Sequence, residues 1–393
     1  MKKLFALVLL LASGQAYAEQ ACTQTFSSLT GLAAAIGSAA NGSVICLDSG
    51  TYGALDLFDY GRSGYVTLRS TTGTGATLGY TRIGNSDYIR LRNISVTGLL
   101  VNSCSLNIQL VNVTVPVDAS GILFDASSCP SSTHNYLVDG ATLIDVGMAN
   151  YEGRLNCRDC NGVIIRNSLF SGIGSEPSDG IQFQGGTKNV TIIGNTFSDI
   201  LESQCGAVHC DAIQLQGNSD IRIAANYFKN GDTFIMSPDG CTDVTVEDNI
   251  FDGNGVSYEY KFQMGSCASP IIRHNVFRQV GVAVDSKVGE SASSNALIEN
   301  NIFSGSLSGI KLTGGSGCTS CIVRYNMFTD SAAASGTNQV SGPPTFIAGV
   351  TSPTTWAGWE LASGSNGENA GNDGKNVGSL YFNPAAPGNF TSN

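Results

Sequence analysis

Val190-Thr191-Ile192-Ile193-Gly194-Asn195-Thr196-Phe197 and Ile221-Arg222-Ile223-Ala224-Ala225-Asn226-Tyr227-Phe228 are two copies of one phrase. Each is an apolar-alternating run closed by Asn, one further residue and Phe. The phrase begins as Val163-Ile164-Ile165-Arg166-Asn167-Ser168-Leu169 and returns at Asn249-Ile250-Phe251, Asn275-Val276-Phe277, Asn301-Ile302-Phe303 and Asn326-Met327-Phe328. From Asn167 the steps between successive Asn residues are 28, 31, 23, 26, 26 and 25. Weaker copies stand at Asn93-Ile94-Ser95 and Asn112-Val113-Thr114, with Asp139-Gly140-Ala141-Thr142 between these and Asn167.

A short repeat of this kind specifies a solenoid, because one unit cannot bury its apolar face without its neighbours. Each unit holds two or three short strands with period-2 patterning and Gly, Asn or Asp turns. Strands from successive coils then stack into long parallel sheets, about 4.8 Å per coil. Asn suits the turn because it tolerates the left-handed backbone region and its side chains stack as a ladder. Phe197, Phe228, Phe251, Phe277, Phe303 and Phe328 are expected to stack as an interior column.

The register carries a disulfide expectation. Cys241, Cys267 and Cys318 each lie eight residues before a repeat Asn. Equivalent positions of adjacent coils fall within disulfide reach, so Cys241–Cys267 is expected as an inter-coil bridge. Among the 12 cysteines, Cys157/Cys160 and Cys318/Cys321 also form CxxC pairs, and Cys22 and Cys46 bracket the N-terminal segment. Zinc suits CxxC spacing, but disulfides are favoured in an oxidising compartment.

The first residues specify that compartment. Met1-Lys2-Lys3, the apolar run Leu4 to Ala12 and Ala16-Tyr17-Ala18 read as a signal peptide over 1–18, cleaved before Glu19. A secreted or periplasmic protein follows. Over the 393 residues the composition agrees: 13% charged residues and 48 Gly disfavour a helical protein. A net charge of −11 argues against nucleic acid or an anionic membrane as partner.

Three further stretches carry a resemblance. Ile45-Cys46-Leu47-Asp48-Ser49-Gly50-Thr51-Tyr52-Gly53 reads as a first coil, preceded by an amphipathic segment from Leu29 to Ala40. Val66-Thr67-Leu68-Arg69-Ser70 reads as the next strand, and Gly358 to Ser365 followed by Gly374 to Gly378 as a closing segment. In these the chain resembles the secreted right-handed parallel β-helix proteins of the pectate-lyase-like superfamily. The resemblance implies an all-β single-stranded solenoid of about ten coils over residues 19–382. Within it, 19–50 would form an N-terminal cap with a short helix, 331–382 a closing segment, and 383–393 a tail. It implies little about activity, because this fold hosts lyases, hydrolases and adhesins alike.

The candidate chemistry lies in Ser178-Asp179-Gly180-Ile181-Gln182-Phe183-Gln184 and Cys210-Asp211-Ala212-Ile213-Gln214-Leu215-Gln216, one strand in adjacent coils. The next coils read Phe234 to Asp239 and Tyr260 to Met264. Alternation turns Gln182, Gln184, Gln214, Gln216, Asp239, Lys261 and Gln263 outward, a face suited to sugar hydroxyls and carboxylates. Asp179 and Asp211 take the inward parity unless they precede the strand. As outward neighbours they would share a proton or a cation, and Ca²⁺ held by Asp179, Asp211 and Asp239 could receive a uronate carboxylate. Equally, each Asp could bond loop backbone.

His209 is the acid–base candidate of the three histidines, flanked by Cys205 and Cys210, while His274 reads as structural. Lys261, Lys287 and Lys311 lie near one strand, and a lysine of lowered pKa could take the proton α to a carboxylate. Lyases of the resembled superfamily use Lys or Arg as base beside acidic cation ligands. The expected function is therefore Ca²⁺-assisted β-elimination of an acidic polysaccharide, with Lys261 as base. The alternatives are a glycoside hydrolase using Asp179 and Asp211, or a non-catalytic adhesive solenoid.

Overall fold

The computed structural model describes residues 20–146, 153–172, 177–205, 209–253, 260–285, 291–305, 309–329 and 336–381. The segment 1–18 expected to be a signal peptide, Lys287 and the 383–393 tail lie outside the described residues. Coil by coil, the chain repeats one path, seen clearly at Lys188–Ile193, Thr196–Ser198 and then Asp211–Leu215. The first two strands meet at a sharp corner, and the third closes the coil. Among the described residues all strand pairs join neighbouring coils in parallel, apart from one antiparallel bridge, Phe346 to Leu361, in the closing segment.

The closing strands form an eleven-stranded parallel sheet. Its members are β1 (Leu55–Phe58), β2 (Thr81–Gly84), β3 (Leu99–Asn102), β4 (Ile122–Asp125), β5 (Gly153–Arg158) and β6 (Asp179–Gln184). They continue as β7 (Asp211–Leu215), β8 (Thr233–Ser237), β9 (Phe262–Gly265), β10 (Val282–Asp285) and β11 (Ile310–Lys311). The N-terminal helix α1 (Leu32–Ser38) buries Leu32 and Ile36 against the first coil, as the amphipathic pattern requires.

Inside the corner the ladder is continuous. Each Asn side chain donates to the next through Asn195, Asn226, Asn249, Asn275, Asn301 and Asn326, at 2.9 to 3.0 Å. The acceptor oxygen also takes the backbone N–H of the preceding Asn, as in Asn226 N to Asn249 Oδ1 at 2.8 Å. Buried amide groups are thereby satisfied in series. The rings stack beside them from Phe170 to Phe328, with centroids 4.5 to 5.0 Å apart.

Two details correct the sequence reading. The left-handed residue is the one before the ladder Asn: Gly194 (φ 69°), Ala225 (φ 50°), Asp248 (φ 59°), His274 (φ 53°) and Asn300 (φ 58°). Asn167 (φ 53°) sits in that column, and Ser168 takes the ladder position, donating its backbone N–H to Asn195 Oδ1 at 2.9 Å. The repeat is thus one residue out of step at Asn167. The cysteines pair as Cys22–Cys46, Cys104–Cys129, Cys157–Cys160, Cys205–Cys210, Cys241–Cys267 and Cys318–Cys321. The expected Cys241–Cys267 bridge joins register partners 4.4 Å apart at Cα.

Candidate functional site

Across β5 to β9 the register aligns Leu155, Ile181, Ile213, Ile235 and Phe262. These apolar residues face the core and are fully buried. The next position aligns Asn156, Gln182, Gln214, Met236 and Gln263 on the outer face. Pleat alternation therefore turns the amides to this side. Asn156 and Gln182 are nevertheless buried there, at 1% and 0% exposure, so Gln182 does not meet a ligand as expected. Of the expected glutamines only Gln184, Gln214, Gln216 and Gln263 are partly exposed on this face. Its groups are joined: Gln184 Nε2 donates to Gln182 Oε1 at 2.7 Å, Gln182 to Gln214, and Gln216 Nε2 to Gln214 Oε1 at 3.1 Å. Gln263 instead donates to the Tyr260 carbonyl at 3.0 Å.

Arg158, which the sequence reading passed over, completes this face. It is the register partner of Gln184 and donates to its Oε1 at 3.3 Å through both Nε and Nη2. Its Nη1 lies 3.9 Å from Asp125 Oδ2, and its side chain is one third exposed. A partly hydrated guanidinium among amides is a receptor for a carboxylate. Alternating sequence position could have found it, since Arg158, within the CxxC pair, follows Asn156 by two residues just as Gln184 follows Gln182.

Asp179 and Asp211 are not groove carboxylates. Both open their strands on the inward parity and are buried, at 1% and 0% exposure. Asp179 Oδ1 accepts the Asp211 N–H at 2.7 Å, tying one coil to the next. Arg154 lies beneath, donating to the carbonyls of Ser178 and Asp179. Burial pulls that guanidinium down to about 10, against the opposing charges of Asp145 and Asp179. Asp239 stands on the exposed turn after β8, at the far end of the strands from Asp179 and Asp211. The three therefore do not fit a shared Ca²⁺, and among the described residues no three His, Cys, Asp or Glu side chains gather around a point.

Lys261 also departs from its expected place. It precedes β9, where the pleat no longer fixes direction, and it is fully buried. The neighbouring-coil residue Phe234 turns inward as well, its ring 5.8 Å from both Phe228 and Phe251. Lys261 Nζ donates to the Gly231 carbonyl at 2.8 Å and lies 3.9 Å from Asp232 Oδ1. Burial lowers its pKa, and the Asp232 charge opposes that. Lys311 remains on the surface, 3.4 Å from Asp285 and 5.1 Å from the Tyr260 ring centroid.

From Lys261 a polar chain runs outward. Asp232 Oδ2 accepts the Glu202 N–H at 2.9 Å, and Glu202 Oε1 accepts the Thr233 hydroxyl at 3.4 Å. Glu202 Oε1 is also 3.2 Å from His209 Nδ1. His209 is 64% exposed at the entry to β7, and the Cys205–Cys210 bridge closes the loop between it and Glu202. Of the four titratable candidates Lys261, His209, Asp179 and Asp211, only His209 meets solvent. Its carboxylate partner orients the ring and leaves Nε2 outward, an arrangement able to exchange a proton. Glu202 and Asp232 escaped sequence reading because they come from different coils and loops of unequal length.

The right-handed β-helix region family matches residues 97–277 and 212–346, which together span well over half of the chain. No curated protein sequence matches. Among solved structures, a PL6 family polysaccharide lyase from Pseudopedobacter saltans is 15% identical, with a TM-score of 0.59 over 82% of this chain and 87% of that one. A PL6 alginate lyase complexed with a trisaccharide is 12% identical, with a TM-score of 0.56 over 78% and 79%. A mannuronic acid-specific family 6 lyase from human gut microbiota is 13% identical, with a TM-score of 0.54 over 80% and 83%. At these identities the likeness is one of fold.

Proposed function

The chain belongs to the right-handed β-helix family, and on that premise we propose that it is a polysaccharide lyase acting on a uronate-containing polymer outside the cytoplasm. The substrate lies across β5 to β9. Arg158 receives the carboxylate of one uronate at the C-terminal end of the strands, while Gln184, Gln214 and Gln216 hydrogen-bond neighbouring hydroxyls. His209, at the opposite end before β7, takes the proton α to the carboxylate of a different unit of the same polymer. The electron pair forms the C4=C5 double bond, the C4–O4 glycosidic bond breaks, and the departing oxygen takes a proton back from the imidazolium. Glu202 sets the ring, and Lys261 is a positioning residue that holds Asp232 and through it the Glu202 backbone. No step is routed through Ca²⁺, because Asp179 and Asp211 are buried in the coil and Asp239 stands at the other end of the strands.

The observation that carries this reading is the exposed His209–Glu202 pair at the entry to β7, on a sheet whose outer face carries amides and, at its other end, one guanidinium. The alginate lyases among the structural neighbours support the substrate class. Six disulfides support an oxidising compartment. The test is incubation with alginate and with polygalacturonate, following ultraviolet absorbance of unsaturated ends and reducing ends together. Both signals rising in step is the expected result. Reducing ends without absorbance would indicate a hydrolase, and neither signal a non-catalytic solenoid.

A further inference from the structure

The same sheet carries a second chemical feature at its N-terminal end. Asp56 and Phe58 of β1 pair in register with Arg82 and Gly84 of β2, and all four belong to the outer face. Phe58 is 36% exposed. An isolated exposed ring is ordinary on a protein surface, but this one is set in place. Its edge carbons occupy the space that a Cβ at position 84 would fill, so Gly84 lets the ring lie down over the second coil. The Arg82 guanidinium carbon is 5.4 Å from the ring centroid. Asp56 holds that guanidinium through two bonds, Nε to Oδ1 at 2.7 Å and Nη2 to Oδ2 at 2.8 Å. Arg has five N–H donors, so three remain for a ligand.

We propose that Phe58 and Arg82, seated on Gly84 and Asp56, form a distal saccharide-binding platform for the same uronate polymer. The apolar C–H face of a pyranose covers the ring, and the remaining guanidinium donors take its hydroxyls or carboxylate. The proposal rests on the polysaccharide reading and extends it in space. From β1 to β7 there are six strand spacings, roughly 29 Å along the solenoid axis. A polymer lying along the face reaches both places, whereas a trisaccharide at His209 does not. Between them the outward column in register with Gly84 (Asn102, Asp125 and Arg158) is polar, while the column of Arg82 carries Leu100 and Leu123.

The experiment is direct binding without turnover: affinity electrophoresis through sodium alginate or polygalacturonate, comparing wild type with Phe58→Ala, Phe58→Tyr and Arg82→Gln. Phe58→Ala is expected to weaken polymer binding about tenfold, near 1.4 kcal/mol, and Phe58→Tyr to restore it. Arg82→Gln should flatten the salt dependence of binding. Turnover of a trisaccharide should be the same in all four proteins. Polymer binding by Phe58→Ala equal to wild type overturns the platform while leaving the lyase reading intact. Tight polymer binding that needs Phe58, with no cleavage of either polymer, upholds the platform and removes the lyase reading. No binding of either polymer by wild type overturns both.

Discussion

The asparagine ladder at the inner corner and the amide face of the eleven-stranded sheet climb the same coils by the same spacing, yet only the ladder is uniform. From Asn195 to Asn326 every rung is the same residue, fully buried, with the same pair of bonds to the next. The outer column, read from β5 to β9, changes at almost every step: Asn156, Gln182, Gln214, Met236, Gln263. A position that repeats without change is answering to packing, which is identical in every coil. A position that keeps its register but varies its chemistry is answering to something outside the fold.

Substitutions sharpen that contrast. The largest effect is expected from His209→Gln, which keeps a polar group but cannot cycle a proton at neutral pH. Formation of unsaturated ends should fall by about two to four orders of magnitude, with an unchanged denaturation midpoint. Lys261→Met is the companion: as a positioning residue its loss should lower kcat less and shift the pH–rate profile, whereas complete loss with an intact fold would make Lys261 the base. Next comes the ladder. Asn249→Ala removes an acceptor of two bonds from Asn226 and a donor to Asn275 and two carbonyls. Unfolding in urea should show a loss of about 3–5 kcal/mol, since several buried groups lose partners at about 1–3 kcal/mol each.

An intermediate effect is expected where the closing segment docks on the left-handed column. Asp248 accepts the Leu380 N–H at 3.0 Å, and Ser379 donates to the Asp248 carbonyl at 2.9 Å. Burial pushes the Asp248 carboxyl up to about 7, aided by Glu247 and opposed by the Leu380 N–H, Arg222 and Arg273. A raised carboxyl stabilises the folded state when protonated, so its contribution is full below its ordinary range near 4 and is lost as pH rises through 7. His274, hydrogen-bonded to Asp373 at 3.1 Å, is lowered by burial and loses its contribution as pH falls through the ordinary imidazole range. Asp248→Asn should therefore match wild type near pH 4 and exceed it at pH 8, as read by thermal midpoints.

The smallest effects belong to the outer face. Arg158→Met keeps the stem and deletes the carboxylate receptor, so KM for the polymer should rise about tenfold with little change in kcat. Gln216→Ala, which removes one half-exposed amide, should alter stability by less than about 0.5 kcal/mol.

Much of this contrast was legible from residue order. The ladder, the ring column and the Cys241–Cys267 bridge follow from repeated local spacing, and pleat parity placed the glutamines. The slip at Asn167 arose because the left-handed position and the ladder position are adjacent and both accept Asn. Alternation did give Asp179 and Asp211 their inward direction, and the cation reading departed from it by placing them before the strand. Lys261 was misread because it lies just before β9, where alternation no longer fixes direction. Asp232 and Glu202 were invisible because contacts between loops of unequal length have no period. Phe58 was passed over because the repeat was read from residue 85 onward, after β1 and β2.

The central claim is that the acidic polymer occupies the outer face of β5 to β9 with its scissile unit at His209. The most direct measurement is a crystal structure of the His209→Gln variant with an alginate hexasaccharide. A saccharide lying over Arg158, Gln184 and Gln216, with one uronate C5 beside residue 209, is the expected result. A chain bound to another wall of the solenoid, with this face empty, would contradict it.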